Sequence, residues 1–277
     1  MRYFAIIGCL LLGANCSGPI GPFAHLTENE RLEMAQGYFD RYQSDDFRRL
    51  TPGAMMLLDT ALMLDSSLAA AWFEQATYAA FRGNYVGYFY AIEQAIEADE
   101  DYLGWRGWGR LIYLGDAERA LEDFFQVKNV YGLDTPHPGG KNYFYWVGLC
   151  HFKLGKYQRA ADAFEQGIID IRTRQGEKWV EGSLYVYWGA SLWREEKLKE
   201  AERVLGIALE KYAKDEKAHY YLGKVYLEEK KCRQARFHLR EARTYFAKRY
   251  GHLETAGGAL DEIYGADILA ALQESCP

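Results

Sequence analysis

Apolar residues along positions 35–249 recur three and four apart, the spacing of one helix face, and small residues hold fixed places among them. The clearest block is His219-x2-Leu222-Gly223-x2-Tyr226, followed by Ala235-x3-Leu239 and Ala242. Before it stand Tyr185-x2-Trp188-Gly189-x2-Leu192, then Ala201-x3-Leu205 and Ala208. Earlier still come Phe144-x2-Val147-Gly148-x2-His151, Gly155-Lys156-Tyr157 and Ala160-x3-Phe164. Gly189 to Gly223 is 34 residues, and so are Ala201 to Ala235 and Ala61 to Ala95. Leu58 and Ile92 each lie three residues before those last alanines, and Trp72 opens the unit that Ala95 closes. Leu111, Gly115, Ala120 and Phe124 mark a poorer unit between. Each unit predicts two helices joined by a short turn.

Two spacings exceed 34. Ala120 to Ala160 is 40, with the extra residues in Thr135-Pro136-His137-Pro138-Gly139-Gly140, a loop by composition. Ala160 to Ala201 is 41, with the excess between Gly167 and Glu181. Seven residues make about two helical turns, so a longer second helix would keep its buried face in phase.

A unit of 34 residues with an aromatic, Leu-Gly, Tyr, Ala and Phe at these places resembles the tetratricopeptide repeat. The resemblance implies an all-α chain, a right-handed α-solenoid of about six helix-turn-helix units over residues 27–249, with a concave and a convex surface. Gly148, Gly189 and Gly223 are expected to face Ala160, Ala201 and Ala235, so that paired helices approach closely. Residues 250–277, through Leu260 to Leu272, read as a capping helix over the last apolar face. Composition agrees: the chain has 6 Pro, leaving long tracts free of this helix breaker. Aromatics make up 16% of it, enough to fill the spaces between helix pairs.

The start of the chain reads as an address. Met1-Arg2 is a positive start, Tyr3 to Gly13 is apolar and too short to span a bilayer, and residues 1–15 are expected to be a signal peptide. Leu11-Leu12-Gly13-Ala14-Asn15-Cys16 resembles a bacterial lipobox, departing from it at Asn15. That likeness implies acylation of Cys16, and Ser17 after it implies an outer-membrane anchor facing the periplasm. Plain secretion with an unmodified Cys16 is the alternative. Residues 16–26 then serve as a tether.

Chemistry is sparse. There is no Walker loop, Gly104-x2-Gly107-x-Gly109 follows no strand, and no Gly-x-Ser-x-Gly elbow occurs. The His residues show no metal-ligand spacing, and His151 and His219 stand where the repeat has packing aromatics. Carboxylates read as scattered over solvated helix faces. We expect no enzyme, no cofactor and no metal, and the net charge of −6 disfavours nucleic acid.

Surface remains. The family lines its groove with the first helix of each unit, which here places Phe73, Thr77, Trp105, Ile112, Tyr145, Leu149, Phe152, Trp193, Tyr220, Lys224 and Leu227 on the concave side. Each of these aromatics has an alternative as inter-repeat core. Residues 195–249 carry +5 and the remainder −11. Arg233, Arg236, Arg240 and Arg243 form one stripe at i, i+3, i+7 and i+10, suited to acidic lipid or an acidic partner, or else merely solvated. Cys150 is expected reduced and buried, while Cys232 and Cys276 are candidates for a disulfide if the cap folds back. Together these readings predict a lipid-anchored envelope scaffold that docks proteins in an aromatic groove, as part of an assembly or secretion machine. A glycan-binding or peptidoglycan-processing accessory that stacks sugars is the alternative.

Overall fold

The computed structural model describes residues 23–44, 51–132, 138–248 and 265–274. Among them all regular structure is helical, with no strand. The helices are α1 (Glu28–Ser44), α2 (Pro52–Leu64), α3 (Ala69–Phe81), α4 (Tyr85–Ala98), α5 (Leu103–Tyr113), α6 (Ala117–Tyr131) and α7 (Tyr143–Lys153). They continue with α8 (Tyr157–Gln175), α9 (Gly182–Arg194), α10 (Leu198–Lys211), α11 (Glu216–Glu228), α12 (Cys232–Lys248) and α13 (Gly265–Glu274).

Helices α1 to α12 pack as six consecutive hairpins, and the second helix of each leans on the first helix of the next. The first helices α7, α9 and α11 also touch one another, giving a solenoid with a row of first helices along one side. Short polar side chains start many helices. Thr51 accepts from the Ala54 amide ahead of Pro52, and Asn84, Asp116, Asn142 and Asp215 cap α4, α6, α7 and α11 in the same way. Each described turn within a hairpin holds one residue at positive φ. Gly83, Gly115 and Gly155 supply it in three of them, and Glu196 and Lys230 adopt it at φ 59° in the last two.

The close approach expected at the packing glycines is present, but against a different neighbour. A Cβ on Gly148, Gly189 or Gly223 would lie 2.6, 2.5 or 2.6 Å from the side chains of Phe164, Leu205 and Leu239. These large residues sit one turn beyond Ala160, Ala201 and Ala235, which are themselves fully buried. Helix α8 is longer than its counterpart α10, 19 residues against 14, and a single 3-10 turn at Glu177–Trp179 takes up the rest of the insertion. In the other insertion, Pro138–Gly140 is a 3-10 turn whose Pro138 carbonyl accepts from Trp146 Nε1 at 3.2 Å, and residues 133–137 lie outside the described ones.

The core is not evenly filled. A large cluster runs from α5 to α11, whereas the first hairpins hold two small ones, around Tyr42 and Leu58 and around Tyr88 and Ile92. Trp72 is the partly buried link between the two small clusters, and Trp108 links the second to the large one. At the far end α13 caps α12 with Ile268 and Ala271 buried. The rest of the expected cap, with Cys276, and the whole leader, with Cys16, lie outside the described residues. Among the described residues no helix is long and apolar enough to cross a membrane.

Candidate functional site

Of the residues expected to line the concave side, Thr77 is exposed and Ile112 and Leu227 are partly exposed, and the others fall into three groups. Tyr145 on α7 and Tyr220 and Lys224 on α11 are partly exposed, as the groove reading requires. Phe73 on α3 and Trp105 on α5 are also half-buried, but their rings face each other at 4.7 Å and join a packing cluster. In that cluster Tyr88 donates to the Trp105 carbonyl at 2.7 Å, and Trp108 and Tyr113 stack edge to face. Burial, with Tyr85 alongside, pushes the Tyr113 phenol up to about 12. Phe152 and Trp193, only 9% and 8% exposed, are floor rather than lining, and Leu149 is buried outright. Their helices explain this: residues 146–152 of α7 are all buried, as are most of 184–193 of α9, because flanking hairpins enclose both helices.

Cations sit over the aromatic floor. Lys141 Nζ lies 5.3 Å above the Tyr145 ring, and Lys141 also pairs with Glu181. Lys217 Nζ lies 5.1 Å from the Tyr187 ring and donates to its hydroxyl at 2.8 Å. Trp193 donates from Nε1 to Glu228 at 2.5 Å, under the Arg194 guanidinium at 4.5 Å and Lys224 Nζ at 6.0 Å. Each cation is held against a ring face, where cation–π attraction orders it. The row from α7 to α11 thus alternates aromatic surface with anchored positive charge. Such a surface can grip apolar side chains and the carbonyls or carboxylates of a polypeptide together.

Two polar clusters went unseen in the sequence. Asp123 on α6, read among the solvated carboxylates, is 2% exposed. Arg106 and Arg110 on α5 each bond it at 2.8 Å, and Arg106 reaches Glu93 on α4 at 2.9 Å. Burial raises the Asp123 carboxyl above its ordinary value despite the two guanidiniums. The signal was a carboxylate three residues after the repeat alanine, where neighbouring units carry Ala163 and Val204. His238 stands at that same place in the last unit, and its Nδ1 lies 2.9 Å from Nδ1 of His219. His219 and His151 are buried, as packing histidines would be. Among the described residues no group of three or more His, Cys, Asp or Glu is arranged to hold a metal ion.

The four stripe arginines are all exposed on α12. Cys150 is a free thiol, fully buried, and burial pushes it well above the usual thiol range. Cys232 is disulfide-bonded. Its partner lies outside the described residues, since the other described cysteine is free.

The architecture has solved counterparts. PilF of Pseudomonas aeruginosa is 17% identical with a TM-score of 0.61, over 81% of this chain and 96% of that one. PilW, a type IV pilus biogenesis factor, is 14% identical with a TM-score of 0.54, over 89% and 96%. The fold is of the tetratricopeptide type. The APC/C hetero-tetramer Cut9-Hcn1 is 18% identical with a TM-score of 0.60 over 88% of this chain, which spans only 46% of that longer one. No model of a protein family matches the sequence, and a search of curated proteins finds no match.

Proposed function

We propose that this tetratricopeptide-type solenoid is an interaction scaffold that holds another polypeptide along its row of first helices, within an assembly or secretion machine of the bacterial envelope. The observation that carries the reading is the cation–aromatic row: Tyr145, Tyr220 and Lys224 stand partly exposed above a buried floor of Phe152 and Trp193. A row of this kind offers aromatic anchors beside fixed charge, the composition of interface hot spots. The envelope location rests on the lipobox-like Leu11–Cys16, with Cys16 acylated and Ser17 directing the protein to the outer membrane, and the likeness in fold to a pilus biogenesis factor supports it.

The test pairs capture with stability. In-cell crosslinking from Tyr145 should trap a discrete polypeptide, and Tyr145→Ala or Tyr220→Ala should weaken its binding about thirtyfold, as loss of an anchor worth about 2 kcal/mol does. Melting should stay cooperative and close to that of the parent. Binding that merely follows the folded fraction would reduce both tyrosines to packing and sink the groove reading. Cys16→Ser should separately move the protein out of the membrane fraction, and unchanged fractionation would overturn the anchor.

A further inference from the structure

The outer face of α12 breaks two local rules at once. Arg233, Arg236, Arg240 and Arg243 share one side of the helix, where like charges three and four apart repel. Arg233 and Arg236 also stand in its first turns, where the positive end of the helix dipole disfavours cations. Some arginines elsewhere are neutralised, as Arg172 and Arg174 on α8 are by Glu177 and Asp170. On α12, Arg233, Arg240 and Arg243 make no ion pair among the described residues. The helix's one acid, Glu241, lies to the side and bonds the Tyr245 hydroxyl instead. Like charge gathered on one exposed helix face is a local cost, and a complementary anionic surface would offset it.

An aromatic ring stands at the edge of the stripe, beside Arg233. Phe237 is 57% exposed, backed edge-on by His238 at 5.1 Å, and with Arg233 and Gln234 it lines a shallow depression. We infer that this face docks on an anionic phospholipid surface, with the guanidiniums on headgroup phosphates and Phe237 in the interface. Guanidinium groups bind phosphate through paired hydrogen bonds, and a basic face with an exposed aromatic matches the boundary between headgroups and acyl chains. The shape agrees: a helix of 17 residues runs about 25 Å, so its outer line of arginines can meet a plane along its length. A protein partner is less well matched, because Glu241, the one carboxylate of this helix, is engaged by the Tyr245 hydroxyl and offers little to fix its register. The inference is independent of the groove, and it needs no acyl chain on Cys16.

The full chain carrying Cys16→Ser is sedimented with vesicles of phosphatidylcholine containing phosphatidylglycerol, and with phosphatidylcholine alone. Binding should favour the anionic vesicles and fall steeply as salt is raised. Each guanidinium removed should cost about fivefold, so Arg236→Gln with Arg240→Gln and Arg243→Gln should lose affinity on the order of a hundredfold. The same three sites changed to Lys should keep most of the binding, and Phe237→Ala should weaken it without altering its salt dependence. These two variants also decide the question if the glutamine variant melts early. Equal binding to both vesicle types, indifference to salt, or full binding by the glutamine variant would overturn the inference. So would binding of polyglutamate without vesicle binding, which would assign the face to an acidic protein.

Discussion

His219 and His238 meet Nδ1 to Nδ1 at 2.9 Å across the last hairpin, and the pair has one arrangement of protons when neutral. His219 Nε2 must carry its hydrogen, because the Ala213 carbonyl 3.1 Å away can only accept. His238 therefore donates from Nδ1. Burial first, and the neighbouring His219 second, lower His238 to about 4, against weaker raising by Glu241 on its own helix and Glu202 on α10. The Tyr226 and Tyr245 rings complete the surroundings.

Stability should follow from that. A histidine depressed in the folded state leaves the unfolded chain binding the extra proton between the two values. The contribution is whole above about pH 6.5 and is lost as pH falls towards about 4. Because the His238 ring is partly open to screening solvent, the contribution is on the order of 1–2 kcal/mol, below what the full shift would give. Denaturant titrations at about pH 7 and about pH 4.5 should show a smaller pH loss for His238→Gln than for the parent. Equal losses in both proteins would show that the pair is not the source.

The packing glycines make a contrast. Gly189→Ala would drive a Cβ to 2.5 Å from Leu205 Cγ, which is itself fully buried and has no room to retreat. We expect a loss of about 1–3 kcal/mol, typical of overpacking. Gly37→Ala on the exposed side of α1, with nothing within 4 Å, should instead gain about 0.5–1 kcal/mol. Chemical denaturation reads both, and a neutral Gly189→Ala would mean that the hairpin can widen.

Asp123→Ala should destabilise the third hairpin by about 3–5 kcal/mol, because it leaves Arg106 and Arg110 charged and mostly buried without their shared partner. Hydrogen exchange should show the loss concentrated in α4 to α6, the helices this network ties together. A uniform loss along the solenoid would contradict that placement.

We propose that the partner of Cys232 is Cys276, reached by the cap turning back over α12. Closing a loop of 44 residues would stabilise the fold by about 4 kcal/mol through the unfolded chain. Non-reducing peptide maps should join the two cysteines, and Cys276→Ser should lower the melting temperature and expose the α12–α13 contact to exchange. A Cys232 peptide joined to any other cysteine would refute the pairing.

Much of the fold was legible because a repeat writes the same packing problem several times. Spacings of 34 residues placed the hairpins, and the two exceptions located the long α8 and the turn at Pro138–Gly140. Periodicity reports which residues face inward, and in a stacked solenoid nearly every apolar position does so. For the same reason it could not tell lining from floor: Phe152 and Tyr145 sit on one helix, yet one is closed over by neighbouring helices while the other keeps an open face. The buried Asp123 and the paired His219 and His238 were hidden because their partners lie on other helices, 13 to 19 residues away. The sequence by itself determined the helices, their pairing in hairpins and that the glycines mark a close approach, though not which side chain meets them, because these features arise within one repeat or from one repeat to the next. Only the tertiary structure decided which aromatics remain exposed and which charges are buried, because burial is set by what stacks on both sides of a helix.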